Sequence, residues 1–201
     1  MKGNMKDKLI NYIRAGYPGI YLVSHEESRV EAELKIVAQA TKYRLYAWST
    51  TEGLQDTADG NIRAANDPLE ALQAIGELPE NTLILMRDLH MFLQDNNPVL
   101  VRALKDSLAE GKTKGKVLIL LGCRQVLPPE LEREFVLLDF RLPDKQALGT
   151  VLDGICSSAK LKMPKGDERD QILDAASGLT TVEAENAFAL SVVASKAILA
   201  S

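Results

Sequence analysis

Disulfide capacity is the first thing missing from this sequence. Its 201 residues hold two cysteines, Cys123 and Cys156, both in apolar stretches. They read as buried thiols of a reducing compartment, and a disulfide-stapled secreted fold is excluded. Long apolar runs are missing too. None reaches the ~18 residues a membrane span needs, so no membrane partner is expected. The start, MKGNMKDKLINYI, has basic residues but no apolar stretch or cleavage site, and reads as an amphipathic helix in place of a secretion signal. Neither charge sign dominates: 24 Lys and Arg face 28 Asp and Glu, a net charge of −4. A dominant nucleic-acid or anionic-membrane surface is therefore not expected, although a local patch stays open. Internal repeats and low-complexity tracts are also missing. What remains is ordinary for a globular core, with 46% hydrophobic and 26% charged residues. The length suits one domain, or one domain with a small helical appendage.

Hydrophobic patterning orders the chain. Leu9, Ile10 and Ile13 mark a helix over Lys6–Ala15, stopped by Gly16 and Pro18. Residues 19–24 (GIYLVS) form a first strand. Ser24 and Glu27 have capping-box spacing, and Val30, Leu34, Ile36 and Val37 give the next helix its buried side. Arg44–Ser49 is a second strand, and the polar stretch 50–67 reads as a loop. Pro68 opens a helix to Ile75. Two apolar strands, Thr82–Arg87 and Lys116–Gly122, flank a helix over Pro98–Glu110. A short helix over Pro128–Glu134 leads to a fifth strand, Val136–Phe140. After Pro143 only helices follow, over Lys145–Ala159, Asp167–Ala176 and Thr180–Leu199. Alternating strands and helices predict a parallel sheet covered on both faces.

Ligands of such sheets bind beyond the carboxyl ends of the strands, so the residues just after each strand carry the argument. Where a phosphate-binding loop G-x-x-x-x-G-K-[ST] would follow the first strand, the chain runs Ser24-His25-Glu26-Glu27 into a helix. Ser24 is a weak nucleotide-site candidate there, set against an ordinary capped helix start. Asp88 ends an apolar strand in LILMRDLH, as a Mg²⁺-holding carboxylate would. The water-activating Glu expected next is Leu89, and Asp is also a common turn residue. Cys123 stands where a γ-phosphate sensor could lie, but a thiol is a poor donor. Gly111-Lys112-Thr113 spells part of the phosphate loop on the wrong side of a helix, and reads as a solvated connection. Arg133 is a candidate for an arginine that reaches a neighbouring subunit's site, or a surface ion-pairing residue. His25, His90 and Cys123 lack tight ligand spacing, and no metal site is expected. No G-x-S-x-G or related triad motif appears.

Several stretches together carry a resemblance: RAGYPGIYLVSHEE (14–27), YAWSTTEGL (46–54), LILMRDLHMFLQD (83–95), VLPPELEREFVLLDFRLP (126–143) and GLTTVEAENAFALSVV (178–193). The chain resembles the N-terminal half of the Ycf-type AAA+ ATPases, first catalogued as hypothetical reading frames in algal chloroplast genomes and found also in bacteria. The resemblance implies an α/β, P-loop-NTPase-like domain over residues 1–142, a five-stranded parallel sheet flanked by helices. A helical lid is implied over 143–201. Relatives pair such a domain with a second module carrying the complete phosphate loop. A fragment or truncation of a longer chain is thus implied, and the family's ATPase activity is not carried over. The expected function is a degenerate, non-catalytic interaction or regulatory module, partnered by an active AAA+ module in the same parent chain or on another subunit. An atypical nucleotide-binding ATPase using Asp88 and a stand-alone adaptor are the alternatives. No cofactor is expected for this segment, with ATP and Mg²⁺ left open, as is a homo-oligomer. The expected location is cytoplasmic: a bacterium, a phage-infected cell or a plastid stroma.

Overall fold

A computed structural model describes residues 4–63, 65–195 and 197–198. The chain divides into two compact units, Met1–Phe140 and Arg141–Ser201. The first is a three-layer α/β unit. Its helices are α1 (Met5–Arg14), α2 (Glu27–Thr41), α3 (Pro68–Gly76) and α4 (Pro98–Lys114). Its strands are β1 (Gly19–Val23), β2 (Arg44–Ser49), β3 (Gly53–Asp56), β4 (Ile62–Arg63), β5 (Thr82–Arg87), β6 (Lys116–Gly122) and β7 (Val136–Asp139). They form one sheet in the order β4-β3-β2-β5-β6-β1-β7. The five predicted strands are the parallel part, with β1 central between β6 and β7.

The sheet is larger than the five strands expected. Within the predicted 50–67 loop, β3 and β4 add an antiparallel extension beside β2. Gly53 allows the tight turn out of β2 with its φ of 72°. Buried Asp56 is held by the Arg44 Nε at 2.5 Å. The Trp48 indole donates to the Ala65 carbonyl at 2.7 Å, tying the far end of the extension to β2.

Side-chain alternation along the strands sorts two cores. Ile20, Leu22, Leu83, Leu85, Ile119 and Leu121 face α1 and α2. Tyr21, Trp48, Ile84, Met86, Leu118 and Leu120 face α3 and α4. A strand buried on both faces needs apolar residues at every position, which is why β5 and β6 read as unbroken runs. Asp67 caps α3 by accepting from the Leu69 and Glu70 N–H groups, with Pro68 at the first turn. The buried Lys116 ammonium closes its other end, donating to the Ile75 and Gly76 carbonyls at 2.9 and 2.7 Å. A cation there also meets the negative end of the helix dipole.

Two local expectations are corrected. Helix α4 runs through Gly111-Lys112-Thr113 to Gly115, whose left-handed φ of 64° ends it, so those residues are its last turn and not a connection. The stretch Pro128–Glu134 forms two successive turns, Leu131 N–H to Pro128 O and Glu134 N–H to Leu131 O, in place of a helix.

The second unit holds α5 (Lys145–Ser158), α6 (Asp167–Ala175) and α7 (Thr181–Ser195) around a core of Leu148, Leu152, Cys156, Leu173, Ala184 and Phe188. Arg169 of α6 donates to Asp153 of α5 at 2.5 and 3.0 Å. Helix α7 ends at Ser195; the predicted end at Leu199 lies outside the described residues. Among the described residues no helix is long and apolar enough to cross a membrane.

Candidate functional site at the carboxyl edge of the sheet

Helix α2 leaves β1 over one face, while the chain leaving β6 runs over the other. The carboxyl ends of β1 and β6 therefore flank a topological switch point, where open α/β sheets bind ligands. Ser24, Asp88 and Cys123 meet along this edge. The Ser24 N–H donates to the Gly122 carbonyl at 3.0 Å, and the Asp88 N–H donates to the Leu121 carbonyl at 2.9 Å.

The connection from β1 to α2 is three residues long, Ser24-His25-Glu26. The anticipated capping box is not formed. The Ser24 hydroxyl accepts from the Glu26 N–H at 3.0 Å, two residues on, and closes the turn before the helix begins. Glu26 is the N-cap residue but makes no side-chain cap bond; its buried carboxylate pairs with Arg29 instead. The Arg29 guanidinium in turn lies 4.8 Å from the Phe140 ring centroid, in cation–π range.

A second charged group closes the neighbouring part of the edge. Arg87, the last residue of β5, pairs with Glu31 of α2 and with Glu52 after β2, and Lys35 joins Glu31 at 2.9 Å. Burial pushes the Glu31 carboxyl up, but the hydrogen bonds from Lys35 and Arg87 outweigh it and leave it below the usual carboxylate value. Sequence reasoning missed Arg87 and Glu31. A polar residue ending the apolar run LILMR was the available signal, although the partner could not be read from it.

Asp88 adopts left-handed backbone with φ 55°, and its side chain is 59% exposed. Its Oδ1 stands 3.7 Å from Nδ1 of His90, which is only 3% exposed. The ring lies against Gly122, where a Cβ would come within 2.5 Å of Nδ1. Cys123 is exposed, which corrects the expected buried thiol; only Cys156 is buried. Strand β6 supplies the apolar run, but it ends at Gly122, one residue before the thiol. The segment after Cys123 is pinned from below by Tyr21 of β1, whose hydroxyl donates to the Arg124 carbonyl at 2.7 Å and accepts from the Val126 N–H at 3.3 Å. Burial raises the affinity of that hydroxyl for its proton. His25 is exposed, and among the described residues no three His, Cys, Asp or Glu side chains gather as a metal site.

Arg133 is not part of this edge. It lies in the turn before β7, at the amino end of the strands, exposed. It lines a cleft of about 640 Å³ with Tyr17, Lys105, Leu108, Lys112 and Glu134.

Residues 5–140 match the family model described as the SpoVK-like AAA ATPase, N-terminal domain, and residues 146–201 match that of its second domain. Similar curated proteins are uncharacterized AAA domain-containing proteins named ycf46. That of Guillardia theta is 29% identical over 84% of this chain and 33% of its own length. That of Trieres chinensis is 31% identical over 77% of this chain and 31% of its own. The chain thus spans about a third of the length of these relatives. Among solved structures, the AAA domain of FIGL-1 in complex with ADP superposes with a TM-score of 0.65 at 13% identity, covering 90% of this chain and 62% of that one. The HORMA:CdnC:Trip13 complex of E. coli MS115-1 gives 0.63 at 11%, covering 96% and 83%. At these identities the structural likeness speaks for the fold alone. The strand order, the two-unit division and the family match over 5–140 agree, and the chain belongs to the SpoVK-like AAA ATPases.

Proposed function

We propose that this chain is a non-catalytic interaction or regulatory module of an AAA+ ATPase, acting beside an active module of the same parent chain or of another subunit. The observation that carries this reading is the three-residue turn between β1 and α2. A phosphate-binding loop wraps the phosphates in successive N–H groups and adds a lysine. Ser24-His25-Glu26 offers neither glycine nor lysine, and its serine hydroxyl is engaged with Glu26. The buried Glu26 carboxylate, paired with Arg29, stands at the start of α2, where a polyphosphate would bind. The residues present therefore do not fit ATP with Mg²⁺, and this reading assigns no metal ion to Asp88. Arg133 is the candidate for an arginine offered to a neighbouring module. As an exposed side chain outside the carboxyl edge, it is available whether or not that edge binds anything. The reading places the protein in a bacterial cytoplasm or a plastid stroma.

The test is a calorimetric titration of the chain with ATP and Mg²⁺ at high protein concentration. No heat beyond dilution is expected. Saturable, Mg²⁺-dependent binding that is lost in Asp88→Ala would overturn the reading. The partner half is tested by adding the chain to an active AAA+ module of the same family and measuring ATP turnover. A change in turnover that Arg133→Ala weakens is the expected result.

A further inference from the structure

Three groups at the carboxyl edge stand in a row that the proposed role does not use. The Cys123 Sγ is 4.0 Å from Nε2 of His90, and the opposite ring nitrogen, Nδ1, is 3.7 Å from the Asp88 carboxylate. His90 is buried, and Nδ1 has no hydrogen-bond partner. The ring is held between an exposed thiol and an exposed carboxylate, and Gly122 makes room for it. A nucleophile, a base on one side of it and an orienting group behind the base is the arrangement that activates thiols. The separations are longer than working hydrogen bonds, as is common before a reactant is bound. Tyr21 of β1 and Arg124 after β6 are ionisable groups that interact with the row.

We propose that Cys123 is a nucleophilic thiol, with His90 as its proton acceptor and Asp88 as the group positioning the ring, and that it reacts with small anionic disulfides. The thiol is open to solvent, and the adjacent exposed Arg124 favours a reactant bearing carboxylates. In the step, His90 Nε2 takes the Sγ proton and the sulfur bonds to one sulfur of the disulfide. The disulfide bond breaks, and the second sulfur leaves as a thiolate that recovers a proton from the imidazolium. One thiol and one disulfide become one mixed disulfide and one thiol, with no net oxidant. The inference stands independently of whether the chain binds nucleotide.

Cys156 provides the internal reference. It is buried, and burial raises its thiol pKa. The experiment incubates the whole chain with glutathione disulfide and follows the adduct by intact mass and peptide mapping, folded and in urea. In the folded chain one adduct at Cys123 is expected, with Cys156 unmodified. Folded Cys123 should react on the order of 10-fold faster than the same cysteine in the unfolded chain. His90→Gln should remove that advantage and shift the pH–rate profile upward, so that reaction fades at a higher pH than in wild type. Asp88→Asn changes an exposed side chain, so it carries the test if His90→Gln does not fold. It should slow the reaction several-fold with the denaturation midpoint little changed. A folded Cys123 that reacts no faster than the unfolded one overturns the proposal. So does a rate and pH profile left unchanged by Asp88→Asn in a folded protein.

Discussion

The two ends of the sheet use charge in opposite ways. At the carboxyl end, Glu26 is taken by Arg29, and Arg87 by Glu31 and Glu52. At the amino end, Lys105, Lys112 and Arg133 line an open cleft and make no ion pair among the described residues, while Arg102 beside them pairs with Asp106. In a sheet of this topology the carboxyl end is where a ligand's charge would be met. Around α2 and β5 that end pairs its charges internally, leaving Asp88 and Arg124 exposed beyond β5 and β6, and the cleft cations stand at the other end. The difference separates structural charge from available charge. Substitutions of the buried or paired groups at the carboxyl end should therefore cost stability, and those in the amino-end cleft should not.

The largest effect is expected at Gly122. A Cβ there would come 2.5 Å from the His90 ring, which is buried and has little room to retreat. Gly122→Ala should lower stability by about 3 kcal/mol, at the upper end of overpacking costs, read as a lower urea midpoint at unchanged slope. An unchanged midpoint would mean that the edge is looser than its packing indicates. Next comes Arg29→Ala. It leaves Glu26 buried without this cation and removes the guanidinium from Phe140. Losing one member of a buried pair costs roughly 3–5 kcal/mol. Arg29 is partly solvated, so a loss of about 2 kcal/mol is expected. Glu26→Gln in the same chain should recover part of it, and failure to recover would locate the cost in the ring contact alone.

These edges were unequally legible. The five parallel strands could be read because burial on both faces leaves continuous apolar runs, as in Thr82–Arg87 and Lys116–Gly122. The β3–β4 extension could not. It is short and polar, and what holds it is distant in sequence: Arg44 on Asp56, and the Trp48 indole on the Ala65 carbonyl. At the candidate site, the rule that ligands bind beyond strand ends correctly brought Ser24, Asp88 and Cys123 to one edge. It said nothing of how each side chain is engaged. The spacing of Ser24 and Glu27 suggested a capping box, yet a turn two residues long competes for the same hydroxyl and wins. Cys123 was misjudged as buried because an apolar run says where a strand lies, not where it ends. The approach of His90 depends on Gly122 having no side chain, and nothing local to His90 announces it.

Acid sharpens the comparison next. The Glu31 carboxyl is held below its ordinary value in the folded chain. A depressed carboxyl contributes stability above its unfolded pKa and loses it as pH falls through the folded value. The ion cluster of Glu31, Arg87 and Lys35 should thus support the fold at neutral pH and release it below the ordinary carboxylate range, at pH below about 4. Urea midpoints taken from pH 7 down to pH 3 should fall less steeply in Glu31→Gln than in wild type, and the gap between the two should close at the acid end. Parallel curves would show that Glu31 does not hold this part of the edge.

The smallest effect is expected in the amino-end cleft, and it is the most discriminating. Lys112→Glu and Arg133→Glu each reverse an exposed charge that makes no ion pair among the described residues. Lys112 lies in the last turn of α4, where a cation favours the helix dipole, so its reversal should cost up to ~1 kcal/mol. Arg133 lies in a turn, and its reversal should stay within about 0.5 kcal/mol. If the unpaired cations exist for contact with another module, Arg133→Glu should abolish any effect of this chain on that module's ATP turnover while the urea midpoint stays put. A large loss of stability in Arg133→Glu would instead make Arg133 a structural residue. The contrast between a carboxyl end that holds itself together and an amino end that offers charge outward would then fail.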